Sequence, residues 1–162
     1  MTFREVFDDV WIILEDVKDP EIPAVSVVEM GMVRSIGVAG KRVIVTFTPT
    51  FAGCPALQVI QDGITDTLHK SGYTDVEIKM SIAPAWSSNW ISPEGREKLK
   101  SFGLAPPPRH SGDIETAFNQ AAECPYCRSK ETELKNDFGS TLCRAIYKCK
   151  SCNQPFERFK PI

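Results

Sequence analysis

Two C-x-x-C pairs constrain this 162-residue chain more than anything else in it: Cys124-Pro125-Tyr126-Cys127 and, 21 residues later, Cys149-Lys150-Ser151-Cys152. A two-residue gap lets both sulfurs of a pair turn towards one point while nearby backbone N–H groups stay free to bond thiolates. Two such knuckles face to face supply four thiolates at the corners of a tetrahedron, the donor set of a closed structural Zn²⁺ site. Between them, residues 130–148 have strand-turn-strand chemistry, with a turn at Asp137-Phe138-Gly139-Ser140 and a strand over Thr141–Tyr147. That is the pattern of a zinc ribbon. Two disulfides would use the same four cysteines but need an oxidising compartment, and tetrathiolate sites also hold iron or iron–sulfur clusters.

Cys143 is a fifth cysteine in this region. By two-residue alternation it shares a strand face with Ala145, Tyr147 and Cys149, so it either lies near the metal or fills the small core beneath the ribbon as an apolar side chain.

The whole chain has a formal net charge of −2 with 25% charged residues, the composition of a soluble globular protein. Divided at Leu104, the first part carries 10 Lys and Arg against 14 Asp and Glu, and the second 9 against 7. Neither balance implies a polyanionic partner. No apolar run reaches the roughly 18 residues of a membrane helix. Acidic residues interrupt the N-terminal stretch, which therefore does not read as a signal peptide. With most cysteines in knuckles, the cytoplasm is the expected compartment.

Thr2-Phe3-Arg4-Glu5 has the form of a capping box. Behind it Phe3, Val6, Phe7, Val10, Trp11, Leu14 and Val17 recur at helical spacing, predicting an amphipathic helix that stops at Asp19-Pro20-Glu21-Ile22-Pro23. That loop brings two carboxylates to a rigid bend, or is a connector with solvated acids. Ser26–Glu29 suggests a short capped turn. Strands are expected over Met32–Val38 and Arg42–Thr48, around a turn at Ala39-Gly40-Lys41. Pro49–Pro55 then leads into a helix whose apolar positions run from Ala56 to Leu68, with Pro55 suited to its first turn. Cys54 falls at or near the helix N-cap. There the positive end of the macrodipole favours a thiolate able to attack a disulfide or hold a soft metal ion; simple packing at a strand-helix junction is the other reading.

Asp75–Ile82 alternates as a third strand. Its crossover connection through the helix predicts that it runs parallel to Arg42–Thr48. Trp86 and Trp90 read as core or lid aromatics, and Ser92-Pro93-Glu94-Gly95 opens a short helix that ends near Gly103. Ala105–Gly112, with three successive prolines, reads as a semi-rigid linker. The expected architecture is α+β: a small three-stranded mixed sheet covered by helices over residues 1–104, a linker over 105–119, and a C-terminal β zinc ribbon over 120–162.

Asp19-Pro20-Glu21-Ile22-Pro23, Glu29-Met30-Gly31-Met32-Val33, and Thr48-Pro49-Thr50 with Gly53-Cys54-Pro55 resemble the small domain shared by SUF-associated and cytosolic iron–sulfur assembly proteins. Residues 84–104 also fit it. The ribbon, with Gly139-Ser140-Thr141-x-Cys143 and its ending Tyr147-Lys148-Cys149-Lys150-Ser151-Cys152-Asn153-Gln154-Pro155-Phe156-Glu157, is similar to the PaaD family. Those proteins are accessory subunits of the multicomponent phenylacetyl-CoA 1,2-epoxidase. The resemblance spans nearly the whole chain. It implies a maturation role rather than an enzyme, namely helping to install iron or an Fe–S cluster in the oxygenase or its Fe–S reductase. It also implies that Cys54 is a transient ligand with Asp19 and Glu21 nearby, and that Cys143 matters.

Two other functions compete with this one. A direct oxygenase or reductase component would be expected to show an E-x-x-H pair, a G-x-G-x-x-G turn or a ferredoxin cysteine run, and none is present; a non-catalytic structural or electron-transfer subunit of the oxygenase is an alternative. A nucleic-acid-binding ribbon would use Arg144, Lys148, Lys150, Arg158 and Lys160 among Tyr147, Phe156 and Phe159, although the acidic first domain opposes it. A second copy of the chain is a further candidate partner.

Overall fold

A computed structural model describes residues 3–162, with side chains from residue 8 onward. The expected Thr2–Glu5 capping box and the side chains of Phe3, Val6 and Phe7 lie outside the described residues. Two compact units emerge, Met1–Trp86 and Ser87–Ile162.

The first unit opens with α1 (Phe3–Leu14). Val10 and Leu14 on its apolar stripe are fully buried. Asp19-Pro20-Glu21 lies in a hairpin joining β1 (Lys18–Asp19) to β2 (Ile22–Ser26). The turn after it is fastened by a reciprocal box. The Ser26 N–H donates to Glu29 Oε2 at 2.9 Å, and the Glu29 N–H to Ser26 Oγ at 3.0 Å. The Ser26 hydroxyl donates in turn to Glu15 Oε2 at 2.5 Å, tying the end of α1 to this turn.

β3 (Val33–Ala39) and β4 (Arg42–Phe47) form the expected hairpin, turning at Gly40, whose φ of 62° a side chain would strain. A crossover through α2 (Leu57–Lys70) leads to β5 (Asp75–Met80). β4 and β5 are parallel, and the sheet order is β3-β4-β5. Val43, Val45 and Phe47 on one face of β4 are buried to 0% exposure, as are Ile64 and Leu68 of α2. This alternation is what period-2 and period-3.6 patterning demands of a sheet packed under helices. Trp86 is buried, and its indole N–H donates to Met30 O at 2.9 Å.

The second unit begins ahead of the Leu104 boundary expected from sequence. A 3₁₀ turn at Ser88–Trp90 leads to α3 (Pro93–Phe102), which Ser92 caps and Gly103 ends at φ 92°. β6 (Leu104–Ala105) then pairs with β9 (Pro155–Phe159). That pairing places residues 87–105 in one body with the ribbon.

The proline run beyond β6 is tied down as well. Arg96 donates to the carbonyls of Pro107 and Ser88, and the Asn89 side chain clasps the His110 backbone at 2.6 and 3.1 Å. α4 (Ile114–Asn119) follows, then β7 (Thr132–Asn136) and β8 (Arg144–Cys149). The second sheet is ordered β6-β9-β8-β7. β8 starts later than the expected Thr141 because the Gly139 N–H bonds Arg144 O and the Arg144 N–H bonds Thr141 O, keeping 139–143 in the turn. Among the described residues no helix is long and apolar enough to cross a membrane.

Candidate functional site: a four-sulfur centre and a cysteine at the strand ends

Each knuckle of the ribbon is a tight turn closed by a residue in the left-handed region, Arg128 at φ 63° after Cys127 and Asn153 at φ 61° after Cys152. The Arg128 N–H donates to Cys124 O, and the Cys149 N–H to Gln154 O. Ser129, two residues past Cys127, and Ser151, two residues past Cys149, meet hydroxyl to hydroxyl at 2.8 Å. The strand pairing β7-β8-β9 brings the two turns to one end of the sheet, and the four Sγ atoms all lie within 4.8 Å of one another. Cys124 to Cys152 measures 3.7 Å and Cys127 to Cys149 measures 3.5 Å. Four sulfurs about 2.3 Å from a shared tetrahedral centre would be about 3.8 Å apart, whereas a disulfide needs about 2.05 Å. The spacing fits one ion and not paired oxidation.

Cys124 and Cys149 are fully buried beside Ala105, Ala122, Ala145, Tyr147 and Phe156. The Cys152 N–H, with the neighbouring sulfurs, draws the Cys149 thiol down to about 6. At Cys127 the Ser129 N–H favours the thiolate, but burial and the three adjoining sulfurs outweigh it and push the thiol up to about 12. Four negative sulfurs cannot coexist here without a cation. The donor set is closed and soft, and these residues fit a structural metal.

Cys143 stands at the other end of β8, more than about 15 Å along the strand from Cys149, with its sulfur 3.1 Å from Thr141 Oγ1. Among the described residues the four-sulfur group is the only cluster of at least three potential ligands drawn this close together.

Two of the five cations noted in the sequence are taken into the interior of the second unit. Arg144 is 8% exposed and pairs with Glu157 at 3.0 Å. Arg158 is 1% exposed, donates to Gln120 O at 2.7 Å and Phe118 O at 2.6 Å, and lies over the Tyr147 ring at 4.8 Å. Lys160 sits over Phe138 at 5.0 Å. The basic-aromatic mixture that suggested nucleic acid is therefore largely internal structure. Sequence reasoning missed Arg158 as the anchor of α4. The available signal was its two-residue spacing from Phe156, which puts both side chains on one face of β9.

In the first unit, Cys54 lies beyond the C-terminal end of β4, where the parallel pair β4-β5 and the start of α2 converge. Such strand ends are where open α/β sheets present their reactive groups. Cys54 is half-buried and sits two residues ahead of the N-cap, which is Ala56. Its N–H donates to Phe51 O and its carbonyl accepts from the Leu57 N–H. Asp19 Oδ1 accepts the Glu21 N–H at 2.8 Å, fixing the turn around Pro20. Asp19 is 8% exposed, so it is not a solvated acid.

Both carboxylates act on the thiol. Burial raises the Cys54 pKa, the Ala56 N–H opposes this, and the charges of Glu21 and Asp19 add to the rise. The thiolate expected from the helix dipole is thus outweighed, chiefly by burial, and the resting group is a neutral thiol. The structure brings Cys54, Asp19 and Glu21 into one electrostatic neighbourhood.

Comparison with known proteins fits both halves. Residues 8–80 match the model of an iron–sulfur cluster assembly protein domain, and residues 109–160 match a PaaD zinc beta ribbon domain. In fold, a solved domain of unknown function, DUF59, from Bacillus anthracis superposes with a TM-score of 0.56 at 24% identity, covering 59% of this chain and 92% of that one. The class is therefore an iron–sulfur-assembly-type α+β domain carrying a C-terminal zinc ribbon.

A curated protein of Escherichia coli strain K12, the putative D component of 1,2-phenylacetyl-CoA epoxidase, is 38% identical over 154 residues, 95% of this chain and 92% of that protein. The chain belongs to the family of that component, the PaaD family.

Proposed function

We propose that this chain is a non-catalytic accessory factor of the phenylacetyl-CoA epoxidase system in aerobic phenylacetate degradation, helping to assemble or insert iron or an Fe–S cluster in an epoxidase component. Its membership of the PaaD family supports the setting. What supports the iron-handling role is that the charges of Glu21 and Asp19, held in the β1-β2 turn, act on the half-buried Cys54 thiol. A neutral thiol is a poor nucleophile at rest, yet the nearby negative charges of Glu21 and Asp19 attract a cation. An arriving cation reverses the local preference, so that the thiol yields its proton and the sulfur becomes a ligand. A site with few protein donors holds such cargo weakly and can release it.

In the same reading the ribbon, residues 120–162, carries structural Zn²⁺ on Cys124, Cys127, Cys149 and Cys152. It serves as a rigid piece that docks on the oxygenase or its Fe–S reductase, in a reducing cytoplasm that keeps the thiols free.

The test is Cys54→Ser in cells producing every epoxidase component. The variant is expected to fold and keep its zinc while the client component is recovered with less iron and the cells lose epoxidation. Clients fully loaded in such cells would end this role for Cys54.

A further inference from the structure

Among the described residues β5 is the outermost strand of the first sheet, paired with β4 on one side and with no strand on the other. Its register runs from Arg42↔Asp75 to Phe47↔Met80 without a bulge. The Asp75 N–H reaches Lys41 O at 3.3 Å and the Ser81 N–H reaches Phe47 O at 2.8 Å. The odd-numbered residues therefore direct their backbone groups at β4. By alternation Val76, Ile78 and Met80 direct theirs away from the sheet. Met80 and the adjoining Ile82 are 56% and 69% exposed. The other edge, β3, is interrupted by a bulge between Val33 and Ser35 and carries Gly37, features that blunt strand addition. No proline or bulge does so along β5.

We propose that β5 pairs antiparallel with β5 of a second copy of this chain, across a two-fold axis at Ile78, making one continuous six-stranded sheet. The charges on the strand select both the partner and the register. Glu77 and Lys79 project from the same face, 3.6 Å apart and both partly exposed. With the axis at Ile78, each Glu77 lies opposite a Lys79 of the other copy, Val76 lies opposite Met80, and Ile78 meets its own equivalent. The outward groups of Val76, Ile78 and Met80 then fall at hydrogen-bonded pairs, as antiparallel geometry requires. Moving the axis one residue either way sets Glu77 against Glu77 or Lys79 against Lys79. This surface is independent of the Cys54 reading.

The test is sedimentation velocity on the full, metal-replete chain across a micromolar concentration series. The parent should show a concentration-dependent dimer. Glu77→Lys and Lys79→Glu should each raise the dimer Kd by about ten- to a hundredfold, because both cross-pairs become like-charged. An equimolar mixture of the two variants should restore dimer, since every cross-pair is then opposite in sign; misfolded chains would not rescue one another. Glu77 also loses a 2.8 Å bridge to Arg42 on substitution, but that pair is exposed and worth little to the fold. A parent that stays monomeric, variants that dimerise as well as the parent, or a mixture that fails to recover would each overturn the proposal. So would amide protection at Val76, Ile78 and Met80 that appears only when an epoxidase component is added, which would assign the edge to a strand of that component.

Discussion

Replacing Arg158 with Met tests the claim that one buried guanidinium holds α4 against the ribbon sheet. Met matches the length of the stem and keeps the apolar contacts, but it leaves the Phe118 and Gln120 carbonyls without the donors that now reach them at 2.6 and 2.7 Å. A buried carbonyl stranded in this way costs about 1–3 kcal/mol. Loss of the cation over the Tyr147 ring adds about 1–2 kcal/mol in a desolvated setting. Opposing these is the relief of a charge that burial already disfavours, since desolvation lowers the Arg158 pKa and its Nε has no partner among the described residues. The net expectation is about 2–4 kcal/mol of destabilisation, which for a unit of this size is about 10–20 °C in Tm. Thermal unfolding of the metal-loaded chain, followed by circular dichroism, measures it, and amide exchange in α4 should accelerate before the rest of the unit. Arg158→Lys should fall between, because one ammonium on a shorter reach cannot serve both carbonyls. A Met variant within about 0.5 kcal/mol of the parent would refute the anchoring argument.

Removing the ribbon metal with a chelator should unfold residues around the knuckles while the first unit keeps its helical signal, because metal-binding energy of about 10–16 kcal/mol exceeds what so small a core supplies. An apo-ribbon that retains its strand signal would contradict that. Gly139→Ala should destabilise the second unit by about 1–3 kcal/mol in urea unfolding. Its new Cβ would stand 2.9 Å from Arg144 Cβ and 3.1 Å from the Arg144 backbone carbon, neither of which can move without breaking the β8 start.

Much of the candidate site was legible in the chain because spacing alone carries it. C-x-x-C geometry brings two sulfurs to one point whatever surrounds them. The hairpin at Gly40, the crossover helix and the parallel β4-β5 pair followed from local periodicity and the handedness of connections. What escaped were features joining residues far apart in sequence. β6 and α4 lie in a stretch whose prolines argue for a linker, and only pairing with β9 and the Arg158 hydrogen bonds make them part of a body. The same holds for Cys54. A helix start nearby argues locally for a thiolate, while the opposing charges come from Asp19 and Glu21, more than thirty residues earlier.

The sequence by itself determined which residues can share a metal and which stretches become strands or helices, since both depend on distances of a few residues. Only the tertiary structure decided the upward shift of the Cys54 pKa and the inward turn of Arg144 and Arg158. Each of these depends on burial and on charges brought together by folding, and Coulomb and desolvation energies follow distance in space rather than along the chain.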